Sequence, residues 1–338
     1  MKPFDQQPPE GVKILTIILC VLLGVGTVLS AYSIPAQKIL FQPAPLLTAL
    51  EKFSFSERLP KFMVNVVAAG GSFGILSDLP EEQTNAVASA VFPPEYALQQ
   101  TTILLTHLYQ YLNFQSTTLT LPLDLAPVRE QMRSTSAAQV LVESWPDCSL
   151  EQSLSVVTGG SLPVCRPPET LMLPAVELTR AALSQAAWLV PDQVDFAKLI
   201  DNSLDERARK GLDQAFAVYR GLRIVALVLP WLAALCLLLI VVLNWQYPKQ
   251  LFLSLGLTFF IAGIAAGIGG LVLLSVVDQL PMVQISWNGP AGGKDLLDVG
   301  LLSARTVLHS WVLAGLAVSA GMAMAGGATG LLSRGVRL

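Results

Sequence analysis

From Ile224 to Leu243 the chain carries no charge and almost no polar side chain. A run that long fixes the backbone, because lipid offers no hydrogen-bond partner and only a helix satisfies its amides within one segment. The helical pattern starts earlier, at Ser203. Ser203 and Glu206 have capping-box spacing. Glu206 with Lys210, and Arg209 with Asp213, are placed to form ion pairs along a helix, and Leu204, Ala208, Leu212, Ala215 and Tyr219 fall on one face. Only Gly211 and Pro230 threaten a break. The expectation is one stalk helix over 203–243, about 60 Å long at a rise of 1.5 Å per residue. Its second half crosses the membrane; its first half stands in water and carries a folded domain.

Three further stretches are long and apolar enough to span a bilayer: residues 14–34, 251–277 and 306–332. The 338-residue chain is 53% hydrophobic and only 13% charged, too apolar for an ordinary soluble protein. Its net charge of −3 gives no basic field for nucleic acid. Four spans put the tails 1–13 and 333–338 and the turn 244–250 on one side. That side carries Lys2, Lys13, Lys249, Arg334 and Arg337 against Asp5 and Glu10, so the positive-inside rule makes it cytoplasmic. The segment 35–202 and the loop 278–305 are then exported. The first span reads as an uncleaved anchor. A signal peptide cut after Val28 and Ser30 is the alternative, but its apolar core is too long for a usual leader. A lipoprotein signal at Cys20 would need a small residue where Leu19 stands.

Cysteine usage fits this topology. Cys148 and Cys165 are the only cysteines of segment 35–202, while Cys20 and Cys236 lie in spans. An exported pair is expected to form a disulfide, worth roughly 3 kcal/mol for a loop of this size in the chain-entropy model.

The exported segment reads as mostly α. Helices are expected over 45–52, 55–69 (with Ser54 and Glu57 at capping spacing), 80–91, 94–113, 127–144, 149–157, 169–189 and from 195. At most two short strands appear, at 118–123 and 193–196. Pro93-Pro94-Glu95 opens a helix, and Leu123-Asp124-Leu125-Ala126 opens the next. The order recurs 71 to 74 positions later, as Pro167-Pro168-Glu169 and Val194-Asp195-Phe196-Ala197. Two matched anchors in one order suggest an internal duplication. Asp124 and Asp195 hold equivalent places in it. A paired carboxylate or metal site is conceivable, but helix capping is the plainer role for both, as for Ser203.

Catalytic chemistry finds little support. Gly70-Gly71-Ser72-Phe73-Gly74 matches the nucleophile elbow of α/β-hydrolases, yet alternating α/β units are missing and His107 is the only exported histidine. A glycine turn ending a helix is the plainer reading. No histidines and cysteines share metal-ligand spacing, and no catalytic residue, metal or cofactor is assigned. His309, early in the fourth span, lies one turn from Arg305, and Asp278 and Arg305 flank spans and could pair. Within the bundle, Gly263 and Gly267 form a GxxxG pair, and Gly315, Ser319, Ala323 and Gly327 repeat every four residues. Both patterns are expected to make smooth faces for close helix packing.

The FSERLP run at 55–60, the FPPE run at 92–95, the cysteine pair followed by Arg166-Pro167-Pro168, and the stretch 190–196 resemble a group of uncharacterised bacterial membrane proteins with four spans and a large exported helical domain. That resemblance implies a fold and no activity. The topology also resembles permeases of the FtsX/MacB type, which implies a separate ATPase partner. The turn 244–250 departs from them, having one lysine and no charged coupling helix. The fold class expected is all-α: a four-helix transmembrane bundle plus an exported helical domain. The function expected is non-enzymatic binding of a protein partner or membrane lipid at the outer face.

Overall fold

The computed structural model of the chain describes residues 9–67, 88, 90–92, 94–149, 165–188, 190–204, 206–279 and 292–335. The Gly70–Gly74 motif, the helix over 149–157 and most of the helix over 80–91 lie outside the described residues. Among those described there are eleven helices and two short strands. Four helices have the length and apolarity to cross a membrane: α1 (Glu10–Ile39), α9 (Glu206–Asn244), α10 (Pro248–Gln279) and α11 (Gly293–Gly335). Between α1 and α9 come α2 (Pro43–Lys52), α3 (Phe55–Val67), α4 (Pro94–Leu112), β1 (Pro122–Asp124), α5 (Ala126–Met132), α6 (Thr135–Glu143), α7 (Glu169–Ala187), β2 (Gln193–Asp195) and α8 (Phe196–Ser203).

Neither Gly211 nor Pro230 interrupts α9, whose 39 residues form one helix. The helices outrun the apolar stretches. Backbone hydrogen bonding continues past the last lipid-facing residue, whereas hydropathy stops there. The largest difference is in α11, which starts at Gly293, so residues 293–305 are helix rather than loop. The helix expected over 127–144 is two helices, α5 and α6. Ser134 leaves helical geometry at ψ 148°, and its hydroxyl accepts from Ala137 N to start α6. Ser54 takes φ +55°, outside the extended region of a capping serine, and its carbonyl, not its hydroxyl, receives Glu57 N.

In the bundle, α1 packs against α9, α10 and α11. Its pairings with α9 run in opposite senses along the two helices. Thr16 meets Asn244, Gly26 meets Ala233, and Gln37 Nε2 donates to Ala226 O. With α10 they run in the same sense, Gly24 beside Thr258 and Tyr32 donating to Ala266 O. The C-terminal ends of α1 and α10 and the N-terminal ends of α9 and α11 therefore share one end, where the helical domain sits.

The domain core gathers Phe62 and Val64 of α3, Tyr96 and Leu104 of α4, Leu123 of β1, Leu141 of α6, and Val176 and Leu183 of α7. Leu296 of α11 is buried in the same cluster. The start of α11 is thus part of the domain, and its remainder is part of the bundle. A second cluster, Leu50, Leu105 and Val299, strengthens that junction.

Candidate functional site

The two short strands form an antiparallel ribbon in which Pro122 faces Asp195, Leu123 faces Val194 and Asp124 faces Gln193. Asp195 is the N-cap of α8, and its Oδ1 accepts from Ala197 N at 3.1 Å. The same oxygen accepts from Leu121 N of the facing segment, also at 3.1 Å. Asp124 Oδ1 accepts from Ala126 N at 3.0 Å, although the N-cap position of α5 belongs to Leu125. Each carboxylate is turned into the helix that follows it. The Tyr96 hydroxyl donates to the Asp124 carbonyl, and burial first, then the Asp124 charge, pushes that phenol well above its ordinary pKa. Ser203 does not occupy a cap. It is the last residue of α8, and Leu204 turns extended before α9 begins at Glu206.

The small-residue faces come together along the α10–α11 seam, with a different spacing from the one expected. A Cβ on Gly263 would lie 2.6 Å from Ala323 N, and one on Gly256 2.7 Å from Thr329 Oγ1. One on Gly270 would collide with the Tyr32 hydroxyl and Leu316. The close approaches recur every seven residues, at 256, 263 and 270. Gly267 faces open space, and Gly327 has only an ordinary contact with Phe260 at 3.8 Å. The GxxxG reading of Gly263 with Gly267 is therefore corrected. Two helices packed at a shallow crossing angle meet at a period near 3.5 residues, and after Gly263 the next seam position is the fully buried Ala266, not Gly267. Of the α11 residues, Gly315, Ser319 and Ala323 belong to the packed side. Gly315 lies under the Tyr32 ring, and Ser319 is buried and donates to Gly315 O.

Sequence reasoning missed Tyr32. It donates to Ala266 O at 2.7 Å, its carbonyl accepts Trp311 Nε1 at 2.7 Å, and its ring meets that indole edge-on at 6.0 Å. A tyrosine near the end of an apolar span usually marks the interface, so only the bare Gly270 and Gly315 opposite it could have signalled this inward role.

At the domain end, the guanidinium of Arg220 stacks 3.9 Å over Tyr111 and 5.1 Å from Phe114, and its Nη2 donates to Tyr111 O at 2.9 Å. Tyr219 donates to Leu40 O at 2.9 Å and meets Phe41 edge-on. The stalk, α1 and α4 are pinned together there. Nearby, Arg305 Nη2 bonds Asp278 Oδ1 at 3.0 Å beside a shallow recess of about 280 Å³ that also takes in Phe53, Thr306, His309 and Ser310. A recess of about 520 Å³ at the opposite end is walled by Val242, Trp245 and Tyr247 with Pro9 and Val12.

Cys148 and Cys165 are joined in a disulfide with Cα atoms 4.8 Å apart. Backbone bonds between Cys148 and Arg166, and between Arg166 and Pro146, flank it. His107 lies partly exposed on α4. Among the described residues no three His, Cys, Asp or Glu side chains converge as metal ligands. No known protein family, curated protein or solved structure matches the chain.

Proposed function

We propose that the chain is a non-enzymatic, multi-pass protein of the cell membrane whose exported helical domain binds a protein partner or lipid at the outer face. The observation that carries this reading is that α9 and α11 run unbroken from the bundle into the domain, with Leu296 of α11 seated in the domain core. Such a domain is held at a set position over the bilayer rather than tethered loosely. Its surface leaves the side chains of Leu173 and Trp188 79% and 77% exposed, which makes both positions accessible to a probe. A photo-reactive amino acid placed at Leu173 or Trp188 in the full chain should give discrete protein or lipid adducts in intact cells. Adducts at neither position would overturn the reading.

The domain itself is read as an internal duplication. The 71-position offset equates Leu123 with Val194, and those two residues face each other in the ribbon. Leu125 N donates to Asp192 O and Phe196 N to Leu121 O, an exchange that maps onto itself under the same offset. A local two-fold relating α4–β1–α5 to α7–β2–α8 accounts for both.

The unbroken α9 also favours a permease-like subunit working with a separate ATPase. Against it, the turn between α9 and α10 is only Trp245–Tyr247, with no room for a coupling helix. Purification in mild detergent from the native host decides: a stoichiometric ATPase in the complex would establish this alternative, and its absence would leave the first reading.

A further inference from the structure

Asp278 follows the last apolar residue of the third span, Arg305 precedes the first of the fourth, and His309 is one turn deeper. They converge at the domain end of α10 and α11, at the depth where an apolar helix surface gives way to headgroups. The recess between them is lined by Phe53, Asp278, Leu302, Arg305, Thr306, His309 and Ser310. Its chemistry is mixed in a specific way. Asp278 and Arg305 spend only Oδ1 and Nη2 on each other. A carboxylate keeps a second oxygen and a guanidinium keeps further N–H groups. Thr306 and Ser310 donate their protons to Leu302 O and Thr306 O, so their hydroxyl oxygens have only acceptor capacity left for a ligand. Acceptors and donors of opposite charge thus lie side by side, with the Phe53 ring and the exposed Leu302 side chain for an apolar neighbour.

We propose that this recess holds the headgroup of a zwitterionic, amine-bearing phospholipid of the phosphatidylethanolamine class. The ammonium donates to the free Asp278 oxygen and the Ser310 hydroxyl, and the phosphate accepts from Arg305 and His309. The two-carbon link of ethanolamine lets both ends reach an intact Asp278–Arg305 pair without separating it. A choline headgroup has no N–H to donate, and a glycerol headgroup has no cation. This inference deepens the lipid half of the function proposed above and rests on it for the position of the bilayer.

The test uses the full chain, delipidated in mild detergent and titrated with phospholipids of identical acyl chains, with bound lipid counted by native mass spectrometry. Ethanolamine lipid should bind about tenfold more tightly than choline lipid, the factor carried by a charge-assisted hydrogen bond, and glycerol lipid no more tightly than choline. Asp278→Ala should equalise ethanolamine and choline, and Arg305→Gln should weaken every phospholipid. Ser310→Phe fills the recess while leaving the ion pair, and should abolish the preference at an unchanged melting temperature. Equal binding of ethanolamine and choline lipids by the parent chain, or a preference that survives Asp278→Ala or Ser310→Phe, overturns the proposal. Soluble phosphoethanolamine binding as tightly as the lipid would make the ligand a free phosphate ester and overturn it too. Photo-adducts at Leu173 and Trp188 are independent of these variants, so the domain's function and this site can fail separately.

Discussion

The Asp195 carboxylate receives two backbone N–H groups, Ala197 of its own helix and Leu121 of the facing segment, whereas Asp124 receives only Ala126 through its side chain. Removing an N-cap oxygen costs about 0.5–2 kcal/mol, and each orphaned donor adds to the loss. Asp195→Ala should therefore destabilise the chain more than Asp124→Ala, by about 1 kcal/mol, while Asp→Asn at either site loses much less. The double variant should also depart from the sum of the singles by about 0.5 kcal/mol or more, because both residues anchor one ribbon. Denaturant melts of the full chain in detergent measure all five, and equal, additive losses would mean that the cross-strand bond to Leu121 contributes nothing. That Asp124 and Asp195 each stand at the start of a helix was legible in the sequence. Their inequality was not, since it depends on which segment lies opposite Asp195.

Hydropathy located the four long apolar helices found among the described residues, because the absence of charge over some twenty residues admits few alternatives in lipid. Helix ends and packing partners were less legible. The α11 helix begins well before its apolar stretch because Leu296 and Val299 are buried by the domain rather than by lipid. The glycine seam was misread because GxxxG is a pattern within one helix, while contact is set by the pair, and at 256, 263 and 270 the pair has a period of seven. The two readings separate experimentally. Gly263→Leu must displace the Ala323 backbone, so it should lower stability by about 1–3 kcal/mol, the usual cost of overpacking. Gly267→Leu points into open space and should leave the melting temperature unchanged. Equal effects would return the seam to the four-residue period. The stalk offers a second test at this scale. Arg220 is held by two aromatic rings and the Tyr111 carbonyl, and a planar guanidinium does this where an ammonium cannot. Arg220→Lys should therefore loosen α4 from α9 almost as much as Arg220→Ala. Hydrogen exchange should quicken at Asn113 to Gln115, whose amides close the end of α4. Unchanged protection there would mean that the stalk does not brace the domain.

Taken whole, the molecule is a bundle and a domain sharing two helices, α9 and α11, with α1 packed against each of the other three long helices. The domain stands at one end, and the turn Trp245–Tyr247 stands at the other. The proposed orientation, with the turn on the cytoplasmic side, rests on charge and on redox chemistry. The turn side holds Lys13 and Lys249, and the domain side holds the Cys148–Cys165 disulfide, a bond that persists outside a reducing cytosol. The two arguments are independent, since one concerns membrane insertion and the other redox chemistry. Both favour the proposed exported placement of the domain. Single cysteines test this directly. With Cys20 and Cys236 replaced by Ala, Thr118→Cys places an exposed thiol on the domain and Gln246→Cys places one in the turn. A membrane-impermeant maleimide added to intact cells should label the chain carrying Thr118→Cys. It should reach the thiol of the Gln246→Cys chain only after the membrane is permeabilised. The native pair stays silent in both because its sulfurs are bonded to each other, and it should become reactive only after treatment with a reductant. Labelling of Gln246→Cys in intact cells would reverse the orientation and put the domain, its disulfide and its apolar Leu173 and Trp188 on the cytoplasmic side. The redox argument would then fail together with the charge argument.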